Sequence, residues 1–66
     1  MNEKYYLINV HDINVGDMLC SRFNKSDKYL VLKDSIDLTL LELNTGRYFY
    51  PAPLDVVRNF MKVSYE

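Results

Sequence analysis

Leu38-Thr39-Leu40-Leu41-Glu42-Leu43-Asn44-Thr45-Gly46-Arg47-Tyr48-Phe49-Tyr50 carries the strongest local signal in this chain. Residues 38–43 are mostly apolar, Asn44-Thr45-Gly46 is turn chemistry, and residues 47–50 are mostly aromatic. That order predicts a β-hairpin whose short loop is a type I turn followed by a left-handed glycine. With Asn44, Thr45 and Gly46 as the loop, Leu43 faces Arg47, Glu42 faces Tyr48, Leu41 faces Phe49 and Leu40 faces Tyr50. Side chains alternate across a sheet, so this register puts Leu41, Leu43 and Phe49 on one face. The other face carries Leu38, Leu40, Glu42, Tyr48 and Tyr50. The first set is a core. The second is too apolar for a plain solvated face, and it includes a carboxylate and two phenols. Tyrosine combines an apolar body with a polar tip, so this second set is the candidate protein-binding or homodimer patch. The alternative is that Leu38, Leu40 and Tyr50 pack under the N-terminal segment or the helix of the same chain.

Outward from the hairpin, short apolar runs alternate with turn chemistry, the pattern of a mainly β domain. Residues 5–10 are β-prone and end at His11-Asp12. Gly16 precedes a strand over residues 18–23 and is expected to take a positive φ. Residues 24–27, Asn-Lys-Ser-Asp, form a polar loop. Residues 28–33 form a strand whose continuous Tyr29-Leu30-Val31-Leu32 implies either cover on both faces or a bulge. After the hairpin, Pro51 and Pro53 end the strand, and Pro53 suits a helix start. A helix of about two turns follows over residues 54–60, with Leu54, Val57 and Met61 on one side. Asp55 and Arg58 suit its dipole. Residues 61–65 alternate as a closing strand.

Composition bounds the rest. Sixty-six residues make a single domain (1–66), and 48% hydrophobic content is enough for a core. A chain this short buries only about 60% of its unfolded surface, which makes compact packing or self-association valuable. Cys20 and His11 are the only residues of their types, so neither an internal disulfide nor a metal cage is expected. The lone thiol and the lack of a signal-like N-terminus predict a cytoplasmic setting, and no apolar run approaches membrane-spanning length. Net charge is −1, with eight basic and nine acidic residues interspersed. That balance makes nucleic acid a less favoured partner than protein.

Val15-Gly16-Asp17 before one strand, Leu43-Asn44-Thr45-Gly46 in the hairpin, and a short helix at residues 53–60 before the last strand form a familiar order. The chain resembles the small SH3-like barrels of bacteria and phages over residues 13–65, with residues 1–12 as an N-terminal strand or arm. The resemblance implies about five antiparallel strands and one short helix before the last. It does not extend to function. The chain lacks the glycine-rich turn of ribosome-associated barrels. It also lacks the acidic loop and tryptophan with which signalling SH3 domains hold proline-rich peptides. The Asn, Lys, Asp and Tyr content is similar to that of small proteins from AT-rich phages or bacteria. Many such phage proteins bind and redirect a host protein.

Catalysis needs an acid, base or nucleophile set in a sheltered pocket. His11 reads as a surface turn residue and Cys20 as a small buried hydrophobe. No glycine loop for phosphate and no cofactor motif is present. The expectation is therefore a non-enzymatic, cofactor-free interaction domain that binds a host or cognate protein, or a second copy of itself. The alternative is a nucleic-acid-binding accessory barrel using Arg22, Lys25, Lys28 and Tyr29, where cations beside an aromatic would suit a single strand. That alternative requires Arg22, Lys25, Lys28, Lys33 and Arg47 to share one face.

Overall fold

The turn signals divide the chain into short pieces, and the pieces pair in one sheet. A computed structural model describes residues 2–34 and 37–66. Among these the elements are β1 (Glu3–Leu7), β2 (Met18–Ser21), β3 (Lys28–Lys33), β4 (Thr39–Glu42), β5 (Tyr48–Phe49), α1 (Pro53–Asn59) and β6 (Phe60–Tyr65). All strand pairs are antiparallel, in the order β1-β6-β2-β3-β4-β5. The fold is mainly β: one open six-stranded sheet and a short helix.

The sixth strand comes from the N-terminal segment, two residues earlier than its apolar run predicts. Asn2 and Glu66 exchange both backbone hydrogen bonds, each 2.9 Å, which fixes the register of β1 on β6. Ile8 then leaves the strand and turns into the core, where it is buried. The turn after it is closed by the Asp12 N–H donating to Asn9 O at 2.8 Å. Gly16 takes φ 91° as expected. Its N–H donates to Val31 O at 2.8 Å, and Val31 N–H donates to Asp17 O at 3.0 Å, so this turn is tied to the middle of β3.

The continuous apolar run of β3 resolves as a bulge: the register with β4 shifts between Val31 and Lys33. Val31 is buried on one side, and Leu30 and Leu32 flank it half-buried.

The hairpin is present, with Gly46 at φ 74°, but its register differs by one residue from the sequence expectation. Leu40 pairs with Phe49 and Leu41 with Tyr48. Glu42 N–H donates to Arg47 O at 2.8 Å, so Glu42, not Leu43, faces Arg47. Leu43 belongs to the loop because its N–H is drawn to β3, donating to Lys28 O at 2.9 Å. The Asn44 amide follows it, donating to Ser26 O at 3.2 Å and Asp27 Oδ1 at 3.3 Å. Thr45 Oγ1 donates to Glu42 Oε1 at 2.6 Å, and Gly46 N–H to Glu42 O at 2.8 Å. These side-chain bonds select a longer loop than local turn propensity favours.

The core lies on one face of the sheet. Leu19, Val31, Leu38 and Leu40 meet Ile8 and Ile13 from the N-terminal segment and Val56 from α1, with Tyr29, Val57 and Phe60 at the margin. Burying each such aliphatic side chain contributes about 1.5–3 kcal/mol. Pro53 opens α1, Asp55 stands in its first turn and Arg58 in its last. The buried stripe is Val56, half-buried Val57 and the following Phe60, whereas the predicted Leu54 is 59% exposed.

Candidate interaction surface

Alternation along the strands sends the intervening residues to the other face. Across the strand pairs, Met18 stands opposite Leu30, Leu30 opposite Leu41, and Leu41 opposite Tyr48. This row is apolar from β2 to β5. At the far edge Tyr5 pairs with Val63 on the same side. The single helix packs on the core face. On this side Cys20 and Val63 are also buried, and the Lys28–Glu3 and Lys25–Tyr5 contacts cross the β1-β6-β2 end, so the more open part is the β4-β5 end around Tyr48. Met18, Leu30 and Leu41 are half-buried, and Tyr48 is 57% exposed.

The one-residue shift in the hairpin divides the predicted patch. Leu38 and Leu40 are core residues beneath Ile8, Ile13 and Val56. This is the packing under the N-terminal segment and helix that stood as the alternative. Glu42 is half-buried and accepts from Tyr29 Oη at 3.4 Å as well as from Thr45, so its carboxylate is engaged within the chain. Phe49 joins Leu40 at the end of the core face, where it meets Tyr29 edge-on at 6.0 Å; at 40% exposure it is not the buried anchor expected. Tyr48 and Tyr50 remain, 57% and 75% exposed.

Tyr50 borders a groove of about 330 Å³ with Lys33, Asp37, Leu38, Thr39 and Pro51. Lys33 and Thr39 are a strand pair next to Leu41, so the groove adjoins the apolar row. The surface thus has an aliphatic floor of Leu30 and Leu41, two phenols above it, and a charged margin of Lys33 and Asp37. The sequence does not single out Leu30 or Met18, and the expected placing of Leu41 and Leu43 in the core with Phe49 is corrected: Leu41 pairs with Tyr48 on the opposite face, and Leu43 is exposed in the loop. The continuous run at residues 29–32 was the signal that a second face of the sheet is also apolar.

The basic and aromatic set has internal work. Arg22 donates through Nη2 to Val57 O at 2.7 Å and through Nε to Phe60 O at 3.3 Å, closing the C-terminal end of α1. Lys28 Nζ pairs with Glu3 at 3.0 Å and donates to Lys25 O. The hydrogen bond from Lys28 holds the Glu3 carboxyl below its usual range and, reciprocally, raises the Lys28 ammonium. Lys25 Nζ lies 4.4 Å above the Tyr5 ring. Tyr29 is half-buried between Phe49 and Phe60, and burial raises its hydroxyl pKa, with the Glu42 charge adding to the effect.

Cys20 and His11 do not meet. Cys20 is fully buried on β2, and burial pushes its thiol pKa up, toward the unreactive protonated form. His11 is exposed and lies in a separate groove of about 730 Å³ lined by Val10, Ile13, Asn14, Asp34, Leu38 and Pro53. Among the described residues, no group of three His, Cys, Asp or Glu side chains is placed to hold a metal ion. No helix among them is long and apolar enough to cross a membrane.

Comparison with protein-family models, curated proteins and solved structures finds no match to this chain.

Proposed function

We propose that this chain is a non-enzymatic protein-interaction domain that docks a partner protein on the helix-free sheet face around Tyr48 and Tyr50. The observation that carries this reading is the pair of exposed phenols beside the half-buried row Met18-Leu30-Leu41 on the face without helix cover. Amphipathic aromatics over an aliphatic floor are the composition of interface centres. The order β6-β2-β3-β4-β5, with α1 just before β6, supports reading residues 13–65 as a small SH3-like barrel and β1 as an added edge strand. The Asn, Lys, Asp and Tyr content, similar to that of small phage proteins, rather than the barrel resemblance, supports reading the partner as a host protein that a phage-type modulator binds and redirects in the cytoplasm.

A nucleic-acid role has less support, because Arg22, Lys25 and Lys28 would have to leave a helix end, a ring and a carboxylate to reach phosphates. The test is capture from bacterial lysate with wild-type chain and with Tyr48→Ala/Tyr50→Ala. The reading expects one stoichiometric protein that the wild type retains and the double variant loses. Nucleic acid recovered without such a protein, or equal capture by both chains, would overturn it.

A further inference from the structure

We propose that the open edge of β1 pairs antiparallel with β1 of a second copy, joining two sheets across a two-fold axis at Tyr5. This surface is distinct from the Tyr48 face and does not depend on its role. β1 ends the strand order, so among the described residues it has a strand neighbour on one side only. The bonded pair formed by Asn2 and Glu66 sets the phase of the β1–β6 ladder. Bonded pairs recur every second residue in an antiparallel ladder, so Lys4 and Tyr6 direct their backbone groups toward β6. Glu3, Tyr5 and Leu7 therefore aim N–H and C=O outward. This is a five-residue edge without proline and without a register shift against β6, the kind that invites another strand.

A second β1 satisfies that edge in one register best. Placing Tyr5 against Tyr5 makes the bonded pairs Glu3 with Leu7, Tyr5 with Tyr5, and Leu7 with Glu3, using every outward group. A shift by two residues one way sets Lys4 against Lys4, and like charges directly opposite are unfavourable. The same shift the other way loses Glu3 and Lys4 from the pairing. In the centred register Lys4 stands opposite Tyr6 of the second copy in a non-bonded pair, where side chains are closest. Tyr6 donates its hydroxyl to Glu66 Oε2 at 2.7 Å, so the incoming ammonium meets an aromatic face and a carboxylate together. Lys4 forms no ion pair among the described residues, while Tyr6 and Leu7 are 47% and 72% exposed. The contact is small by the standards of permanent dimers, so association is concentration-dependent.

Sedimentation equilibrium of the 66-residue chain over a wide concentration range tests this. The mass rises from 7.8 kDa toward twice that value as concentration increases. Lys4→Glu places a carboxylate against Glu66 of the second copy at two symmetric contacts and weakens association by about tenfold or more. Tyr5→Pro removes an outward N–H that bonds nothing in β6 and abolishes it. Tyr48→Ala leaves it unchanged. Far-UV circular dichroism verifies that each variant is folded, and Lys4→Glu, being a surface change, decides the matter if Tyr5→Pro is not. A mass fixed at 7.8 kDa at every concentration overturns the proposal. So does a dimer that Lys4→Glu leaves intact, or one that Tyr48→Ala dissolves.

Discussion

The two faces of this sheet are built from alternate residues of the same strands, yet they are finished to different degrees: the second is closed around Cys20 and Val63 and open around Tyr48. On the core face Leu19, Val31 and Leu40 lie under Val56 and the N-terminal segment and are 0–1% exposed. On the other face their immediate neighbours, Met18, Leu30 and Leu41, are nearly as apolar but only half-buried, and Tyr48 beside Leu41 is exposed. The contrast separates two jobs of apolar residues. Residues of the first kind hold the fold, and residues of the second kind have area left to give to a partner. A domain of this size has one helix to spend on one face.

The largest difference between the faces should appear on truncating the centre of each. Leu40→Ala should cost about 2–5 kcal/mol, a large share of the stability of so small a domain. Leu41→Ala should cost clearly less, because its side chain is already in partial contact with water. Chemical denaturation of the two variants measures both, and equal losses would erase the distinction between the faces. Phe49→Ala falls between them, at about 1–2 kcal/mol. The residue is 40% exposed and contributes mainly its edge contact with Tyr29, so it should not reach the ~3–5 kcal/mol of a fully buried phenylalanine.

A smaller effect separates the strand edges by pH. Hydrogen bonding from Lys62 and Asn14 holds Asp12 below its usual carboxyl range, and Lys28 does the same for Glu3. A depressed carboxyl stabilises the fold above its unfolded pKa, and that contribution is lost as pH falls through the folded one. For Lys62, burial acts to lower the pKa but the bonds to Asp12 and Asp17 outweigh it, so its contribution is lost only as pH rises above the usual lysine range. Both pairs tie down the N-terminal segment, Glu3 to β3 and Asp12 to β6. Hydrogen exchange should therefore show β1 opening first on acidification below the carboxylate range, while Leu40 and Leu41 stay protected. Simultaneous loss in both regions would count against this assignment.

Much of the fold was legible locally. The turn chemistry at Gly16, residues 24–27 and Gly46 placed strand breaks, and Pro53 placed the helix start, whereas the first strand ends at Leu7, ahead of the break expected at His11-Asp12. What local reading missed depends on partners distant in sequence. Asn44 bonds back to Ser26 and Asp27, and Leu43 to Lys28, which moves the hairpin by one residue and exchanges the surroundings of Phe49 and Tyr48. The face of α1 was misjudged for a similar reason: a two-turn helix has too few apolar residues for its periodicity to settle whether Leu54 or Val56 points inward. Of the candidate surface, the phenols were visible because Tyr48 and Tyr50 stand two residues apart after Gly46. The floor beneath them was not, since it is assembled from three strands. Arg22 and Lys28 looked like free cations until the helix end and β1 were brought to them.

Tyr48 lies at the open end of the second face, where its proposed role is binding rather than folding. The most direct test of that role pairs a thermal melt of Tyr48→Ala with its affinity for the protein captured by the wild-type chain. The stability should change by no more than about 0.5 kcal/mol, as for other surface substitutions. Binding should weaken by more than about 1 kcal/mol, as for an interface tyrosine near the centre of its patch. A variant that melts far below the wild type, or that binds the captured protein with unchanged affinity, would contradict it.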